Sequence, residues 1–384
     1  MRHIKSMALA ASTAAALMLG SGMASANNVV TVNTVQIFGT VDPAKINDYT
    51  EYMAGVNLYE ALTTLDGSGA IQPLLSESWS TSEDGLTWTF KLKKGATFQD
   101  GSPVEAKDVV WSVNRLLAIN EGPAYLFEGV LSEGSVTEID SSSVQFKLEK
   151  TYAPFLTTTP ILFVVNSDLA KENAGDGDPW AQDYVANNSI GAGAFYLDSW
   201  ERGAGMTIKA YEGSHLGWSD TGIDEVRFVV TNEEATVKAL AASGELSMSS
   251  DAQAQETYDS IGKLSDYRID KYSTATNFYL KLNNSIAPTD DVNIRKAIAY
   301  ATDYDTIRDV ILPGAPLTGP MPPIFADAYP DDIQPPTFDL AKAKEFVDAS
   351  SYAGKGPIDI EVMYVAGLAF EEEIGLLLKS ILDT

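Results

Sequence analysis

Residues 74–115 read LLSESWSTSEDGLTWTFKLKKGATFQDGSPVEAKDVVWSVNR, and two kinds of local order follow one another within them. From 86 to 93 apolar and polar residues alternate strictly, with Leu86, Trp88, Phe90 and Leu92 on one face and Thr87, Thr89, Lys91 and Lys93 on the other. Successive side chains of a strand leave opposite faces of the pleat, so this period of two predicts a half-buried strand over 86–93. Next, Ser102-Pro103-Val104-Glu105 has the form of a capping box with proline at the first helical position. Val109/Val110, Val113 and Leu116/Leu117 then recur at helical spacing, which predicts a helix over about 103–118.

The same signals spread outward. The segment 143–150, SVQFKLEK, repeats the strand pattern with Val144, Phe146 and Leu148 inward, and Val226, Phe228 and Val230 do so again, as expected of antiparallel strands with one covered face. Further helices are expected at 233–243, closed by Gly244, at 291–301 after Asp290, at 340–349 after Asp339, and at 370–382. In the last of these Ile374, Leu377, Leu378, Ile381 and Leu382 form one stripe. Strands and helices are mixed without a regular βαβ alternation, so the fold class is mixed α/β. The stretch 313–337 holds eight of the 17 prolines and reads as a long irregular connection.

Composition narrows the function. The chain has 384 residues, 45% of them apolar, enough for packed cores and for two or three domains at the usual size. There are 53 Asp and Glu against 26 Lys and Arg, a net charge of −27, and no basic cluster that would locally favour a phosphate backbone, so nucleic acid is a poor partner. The absence of cysteine excludes disulfides, thiol nucleophiles, cysteine-held metals and lipid attachment through an N-terminal Cys.

Residues 1–26, MRHIKSMALAASTAAALMLGSGMASA, show a basic start, an apolar stretch from about Met7 to Leu19, and Ala24-Ser25-Ala26 as a cleavage site. The apolar run is shorter than the roughly 20 residues a spanning helix requires, and it is interrupted by Ser and Gly, so a secretory signal is expected and a membrane anchor is not. Its removal would take Arg2 and Lys5, lowering the basic count from 26 to 24 and the net charge from −27 to −29. His3 would go with it, leaving His215 as the one imidazole.

Catalytic constellations find little support. His215 sits in Glu212-Gly213-Ser214-His215-Leu216 and reads as a lone surface histidine, not a member of a triad or metal site. Gly191-Ala192-Gly193 and Gly203-Ala204-Gly205 lack a third glycine and a following G-K-[ST], so they read as turn glycines and not as phosphate loops. Asp176-Gly177-Asp178 opens like a calcium loop, but Trp180 occupies the third ligand position. Acidic residues are too many for spacing to single out a pair for acid–base hydrolysis. No metal or cofactor is expected, and binding leads by elimination, with a secreted acid–base hydrolase as the rival from another class.

Several segments together resemble the family 5 extracellular solute-binding proteins, the dipeptide- and oligopeptide-binding subunits of bacterial ABC importers. The stretch 74–115 is the most specific, with Ser76-Glu77-Ser78-Trp79, the Asp84-Gly85 turn, Lys94-Gly95, Asp100-Gly101 and Pro103 leading into Ala106-x-Asp108-Val109. Val41-Asp42-Pro43, Leu58-Tyr59-Glu60-Ala61-Leu62, Asp178-Pro179-Trp180, Ile190–Phe195 and 238–246 are similar to further family segments, although Ala192 and Ala194 replace the common Thr and Pro. Asn277–Asn283 followed by Asp290–Ala297 resembles the strand and helix where the family's chain crosses into its second lobe.

The resemblance implies a two-lobed periplasmic-binding-protein fold, type II-like, that closes on its ligand as a Venus flytrap. Residues 27–276 would form the first lobe, with an inserted subdomain at about 60–190, and 277–384 the second lobe, incomplete at its C-terminus. It implies a soluble, monomeric periplasmic protein without a lipid anchor that captures a peptide and delivers it to an inner-membrane permease and ATPase. An oligosaccharide or another small solute is the alternative ligand. It places ligand contacts at the loop after the first strand, Asn47, Asp48 and Tyr49, and on the crossing strand, Asn277 and Tyr279.

Overall fold

The structure, a computed structural model, describes residues 28–34, 39–218, 222–231, 233–249, 253–272, 276–315, 319, 321–322 and 332–383. The expected signal at 1–26 and part of the proline-rich connection lie outside the described residues.

The first part of the chain runs from β1 (Val29–Thr34) through α1 (Tyr49–Leu58) to the short strands β2 (Glu60–Ala61), β3 (Thr63–Leu65) and β4 (Ile71–Pro73). There follow β5 (Ser76–Thr81), β6 (Thr87–Leu92), α2 (Ala106–Ile119), a 3-10 turn at Gly122–Phe127, β7 (Val136–Asp140) and β8 (Ser143–Lys147). Beyond α3 (Phe155–Thr158), β9 (Phe163–Val164) returns to pair antiparallel with β2. Then come α4 (Ser167–Glu172), α5 (Gln182–Val185), β10 (Phe195–Glu201), β11 (Gly205–Ala210), β12 (Glu225–Val230), α6 (Glu234–Ser243) and α7 (Gln255–Ile261). The helices that follow are α8 (Val292–Tyr300), α9 (Tyr304–Thr306), which continues into a π-helical turn at Ile307–Ile311, α10 (Leu340–Asp348) and α11 (Ala369–Leu382).

Two four-stranded sheets organise two cores. In the order β5-β6-β8-β7, the alternating faces read from the sequence turn Phe90, Leu92, Val144, Phe146 and Leu148 inward, where α2 covers them with Val109, Val113 and Leu116. Rings meet edge-on or tilted, Phe90 on Phe146 and Phe146 on Phe155 both at 5.5 Å between centroids, the geometry their quadrupoles favour. In the order β1-β12-β11-β10, β1 runs parallel to β12 and the others are antiparallel. Met206 and Ile208 stand opposite Phe228 and Val226, and this face packs with Ala54 and Leu58 of α1 and with Phe163. Smaller clusters join α6 to α7 through Val237, Ala241 and Ile261, and α8 to α10, where Tyr300 stacks on Phe346 at 5.6 Å.

Five expectations are corrected. The helix after the first strand motif begins at Ala106, three residues late: its box is built by Glu105 and Asp108, because Ser102 bonds Asp100 and Pro103 bridges to Thr97. Residues 277–283 form no strand, and Asp291 caps α8 in place of Asp290. Gly191 and Gly193 are close-approach glycines: a Cβ on either would lie 2.2 Å from a carbonyl of Leu58 or Asn57 at the end of α1. His215 is not a surface residue. Its side chain is 10% exposed and its Nε2 lies 2.6 Å from Oε2 of the buried Glu60, tying the β11–β12 connection to β2.

Candidate functional site

The segment between β1 and α1 carries the first three expected contact residues, and its shape follows from its carboxylates. Asp48 caps α1: its Oδ1 accepts the Thr50 N–H at 2.8 Å and the Thr50 hydroxyl at 2.6 Å, satisfying one of the donors a helix start leaves free. Glu51, three residues on, would in a capping box turn back to the cap itself. Here it reaches further, Oε2 accepting the Asn47 N–H at 2.9 Å and Oε1 the Gly39 N–H at 3.1 Å. Gly39 in turn offers its carbonyl to Nη1 of Arg202 at 2.9 Å.

Midway, Asp42 accepts the Ala44 N–H and meets Arg115 of α2 in a two-pronged pair, Nη1 to Oδ1 at 2.5 Å and Nη2 to Oδ2 at 2.6 Å. The two side chains are 1% and 0% exposed, and Nε of Arg115 donates to the Trp180 carbonyl at 2.8 Å. Taking both charges out of water costs about what their attraction returns, so the pair specifies geometry more than it adds stability.

The crest of this segment is open to solvent. Asn47 and Tyr49 are exposed, and Asp48 is half-buried in its capping role. Against its flank lies the turn Gly122–Phe127. Gly122 has φ +48°, and a Cβ there would sit 2.7 Å from the Ile46 carbonyl and 2.9 Å from that of Ala44, so only glycine lets the turn seat so closely. The turn carries Tyr125, 72% exposed, and Lys45 pairs with Glu121 at 3.7 Å. The turn follows from the Asn120-Glu121-Gly122-Pro123 break after α2, with Asn120 in the left-handed region at φ 54°.

Asn277 and Tyr279 stand on a separate, irregular segment. Tyr279 is 62% exposed, with the Lys281 ammonium 5.4 Å from its ring centroid, and Phe278 meets Phe370 of α11 edge-on at 5.3 Å. Two cavities lie elsewhere. One of about 530 Å³ runs beside β10, lined by Gln99, Asp100, Tyr184, Tyr196 and Trp200, and one of about 1050 Å³ lies among α8, α10 and α11, walled by Ile298, Ala343, Ile358, Ile360 and Leu376. None of the five expected residues lines either. Among the described residues, no three His, Cys, Asp or Glu side chains are grouped to hold a metal ion, and no helix is long and apolar enough to cross a membrane.

Known proteins share this architecture. The family description "Bacterial extracellular solute-binding proteins, family 5 Middle" matches residues 70–383. The chain is 30% identical over 292 residues to the Escherichia coli K12 protein named "Probable D,D-dipeptide-binding periplasmic protein DdpA", covering 74% of this chain and 55% of the relative. It is 28% identical to the Haemophilus influenzae "Periplasmic oligopeptide-binding protein OppA" over 84% of this chain and 63% of the relative. The chain thus spans between about half and two thirds of the length of these curated relatives. Among solved structures, the Bacillus subtilis oligopeptide-binding protein AppA, in complex with a nonapeptide, superposes with a TM-score of 0.81 at 21% identity, over 92% of this chain and 72% of that one. The fold is that of the two-lobed periplasmic binding proteins, and the chain belongs to the bacterial extracellular solute-binding proteins of family 5.

Proposed function

We propose that the protein captures a di- or oligopeptide in the periplasm and delivers it to an ABC permease and its ATPase. The observation that carries this reading is the fastened segment 39–49, which holds exposed Asn47 and Tyr49, within a family whose relatives include proteins named for dipeptides and oligopeptides. An extended peptide offers its backbone as an added strand, so affinity comes from main-chain pairing while hydrated pockets leave sequence preference weak. Asn47, Asp48 and Tyr49 would meet it from the first lobe, residues 27–276 with an inserted subdomain at about 60–190. Asn277 and Tyr279 would meet it where the chain enters the second lobe, from 277 onward. Closure then requires only that the ligand bind the closed state better than the open one.

Residues 1–26 direct export and are removed after Ala26, and the mature protein is a freely diffusing monomer that binds without turnover. Calorimetric titration with dialanine, trialanine and maltotriose tests the ligand class. Heat on adding the peptides and none with the sugar is the expected result; tight sugar binding with silent peptides would overturn it in favour of an oligosaccharide carrier, and conversion of a bound ligand to product would revive the hydrolase reading.

A further inference from the structure

We propose that Glu51 is a positioning residue for ligand capture, acting through the backbone it spans and not through contact with the ligand. The inference rests on the reading that Asn47–Tyr49 meet the ligand. Glu51 is itself buried, on the first turn of α1, and its two oxygens are divided between the Gly39 and Asn47 amides, eight residues apart in sequence. One carboxylate therefore sets the width of the segment's neck. The approach is close: a Cβ on Gly39 would stand 3.0 Å from Glu51 Oε1.

The other fastenings fix the segment at different points. Asp42–Arg115 anchors its middle to α2, and Arg202 holds the outer side of Gly39. Neither restrains Asn47. Without Glu51 the Asn47 amide would lose the carboxylate that accepts its hydrogen bond, and the start of the crest would lose its tie to the Gly39 end of the segment. Hydrogen bonds to a charged acceptor are the strong ones, and ordering the crest in advance spares the ligand that entropic cost on binding.

Glu51→Gln tests this, because the amide keeps the shape but turns a donor toward one of the two N–H groups. In the intact protein, amide hydrogen exchange at Gly39 and Asn47 is expected to be slow although the crest is exposed. In the variant it should speed up at one or both, with trialanine affinity falling about tenfold, the worth of one charge-assisted hydrogen bond, while the unfolding midpoint moves by no more than about 3 °C. Unprotected amides in the parent protein, or unchanged affinity in a variant whose amides have been released, would overturn the proposal. If Glu51→Gln does not fold, Glu51→Asp, one methylene too short to span both amides, is read in the same way. A parent protein that binds no peptide defeats the peptide reading alone; the exchange comparison then decides whether Glu51 sets the neck.

Discussion

At the scale of single residues, two kinds of contact fix the site's surroundings, and they differ in how far the sequence discloses them. Gly191 and Gly193 are visible as glycines in the chain, but the reason for them is not, since the backbone they approach belongs to Asn57 and Leu58 more than 130 residues earlier. Gly193→Ala places a methyl group where no side chain can move aside, because the obstacle is main chain. A loss of about 3 kcal/mol, the upper range for overpacking, is expected in denaturant unfolding. Arg115→Met leaves the Asp42 side chain without its guanidinium partner in a site with no exposure, and should cost about 3–5 kcal/mol in the same measurement. Pairing Arg115→Met with Asp42→Leu should recover most of that loss, since an apolar pair of similar volume avoids the buried charge. If the double variant is as unstable as the single one, the pair contributes more than specificity. His215 teaches the same lesson: its neighbours in sequence are polar, yet its burial is decided by Glu60, which comes to it from β2.

At the scale of elements, periodicity carried over well where an element's partner faces are present. The strands around Phe90 and Phe146 and the helices closed by Gly244 or opened by Asp339 stand close to where alternation and capping chemistry put them. Boundaries failed where side chains had a competing partner, as when Ser102 turned to Asp100 and left the cap of α2 to Glu105. The strand at 277–283 rests on resemblance and not on periodicity, and the described residues form none there. The pairing of α8 with α10 shows what capping chemistry adds beyond one helix. Asp291 accepts the Ser351 N–H at 2.7 Å, across from the end of α10, as well as the Asn293 N–H at 2.7 Å within its own cap. These bonds to the charged form, that from Ser351 foremost, hold its pKa at about 2, below the ordinary aspartate value. A carboxyl whose pKa is lower folded than unfolded contributes stability above its unfolded pKa and loses it as pH falls through the folded one. Asp291→Asn should therefore lower the unfolding midpoint near neutral pH, with the gap to the parent protein closing as pH is taken down toward about 2. A gap independent of pH would mean that the charge of Asp291 is immaterial.

At the scale of the whole molecule, two cores meet along several segments, 41–46, 61–62 and 163–164 among them, and the chain that forms them carries 27 more negative than positive charges. Sequence composition made the charge legible at once, whereas the fastened segment 39–49 needed the fold, because its fastenings come from α1, α2 and the β10–β11 turn. An excess of this size raises the potential over the whole surface and should draw cationic ligands in faster than neutral ones, a long-range effect that mobile ions screen. The screening distance falls from about 30 Å at 0.01 M salt to about 3 Å at 1 M, so the effect belongs to the low-salt regime. Stopped-flow association of trilysine and trialanine separates the whole-molecule field from local contacts. Trilysine is expected to associate about tenfold faster at 0.01 M salt, with the two rates converging by about 1 M. A preference for trilysine that survives high salt would place its origin in carboxylates lining the ligand's own seat, and equal rates at low salt would mean that the acidic surface leaves ligand capture unaffected.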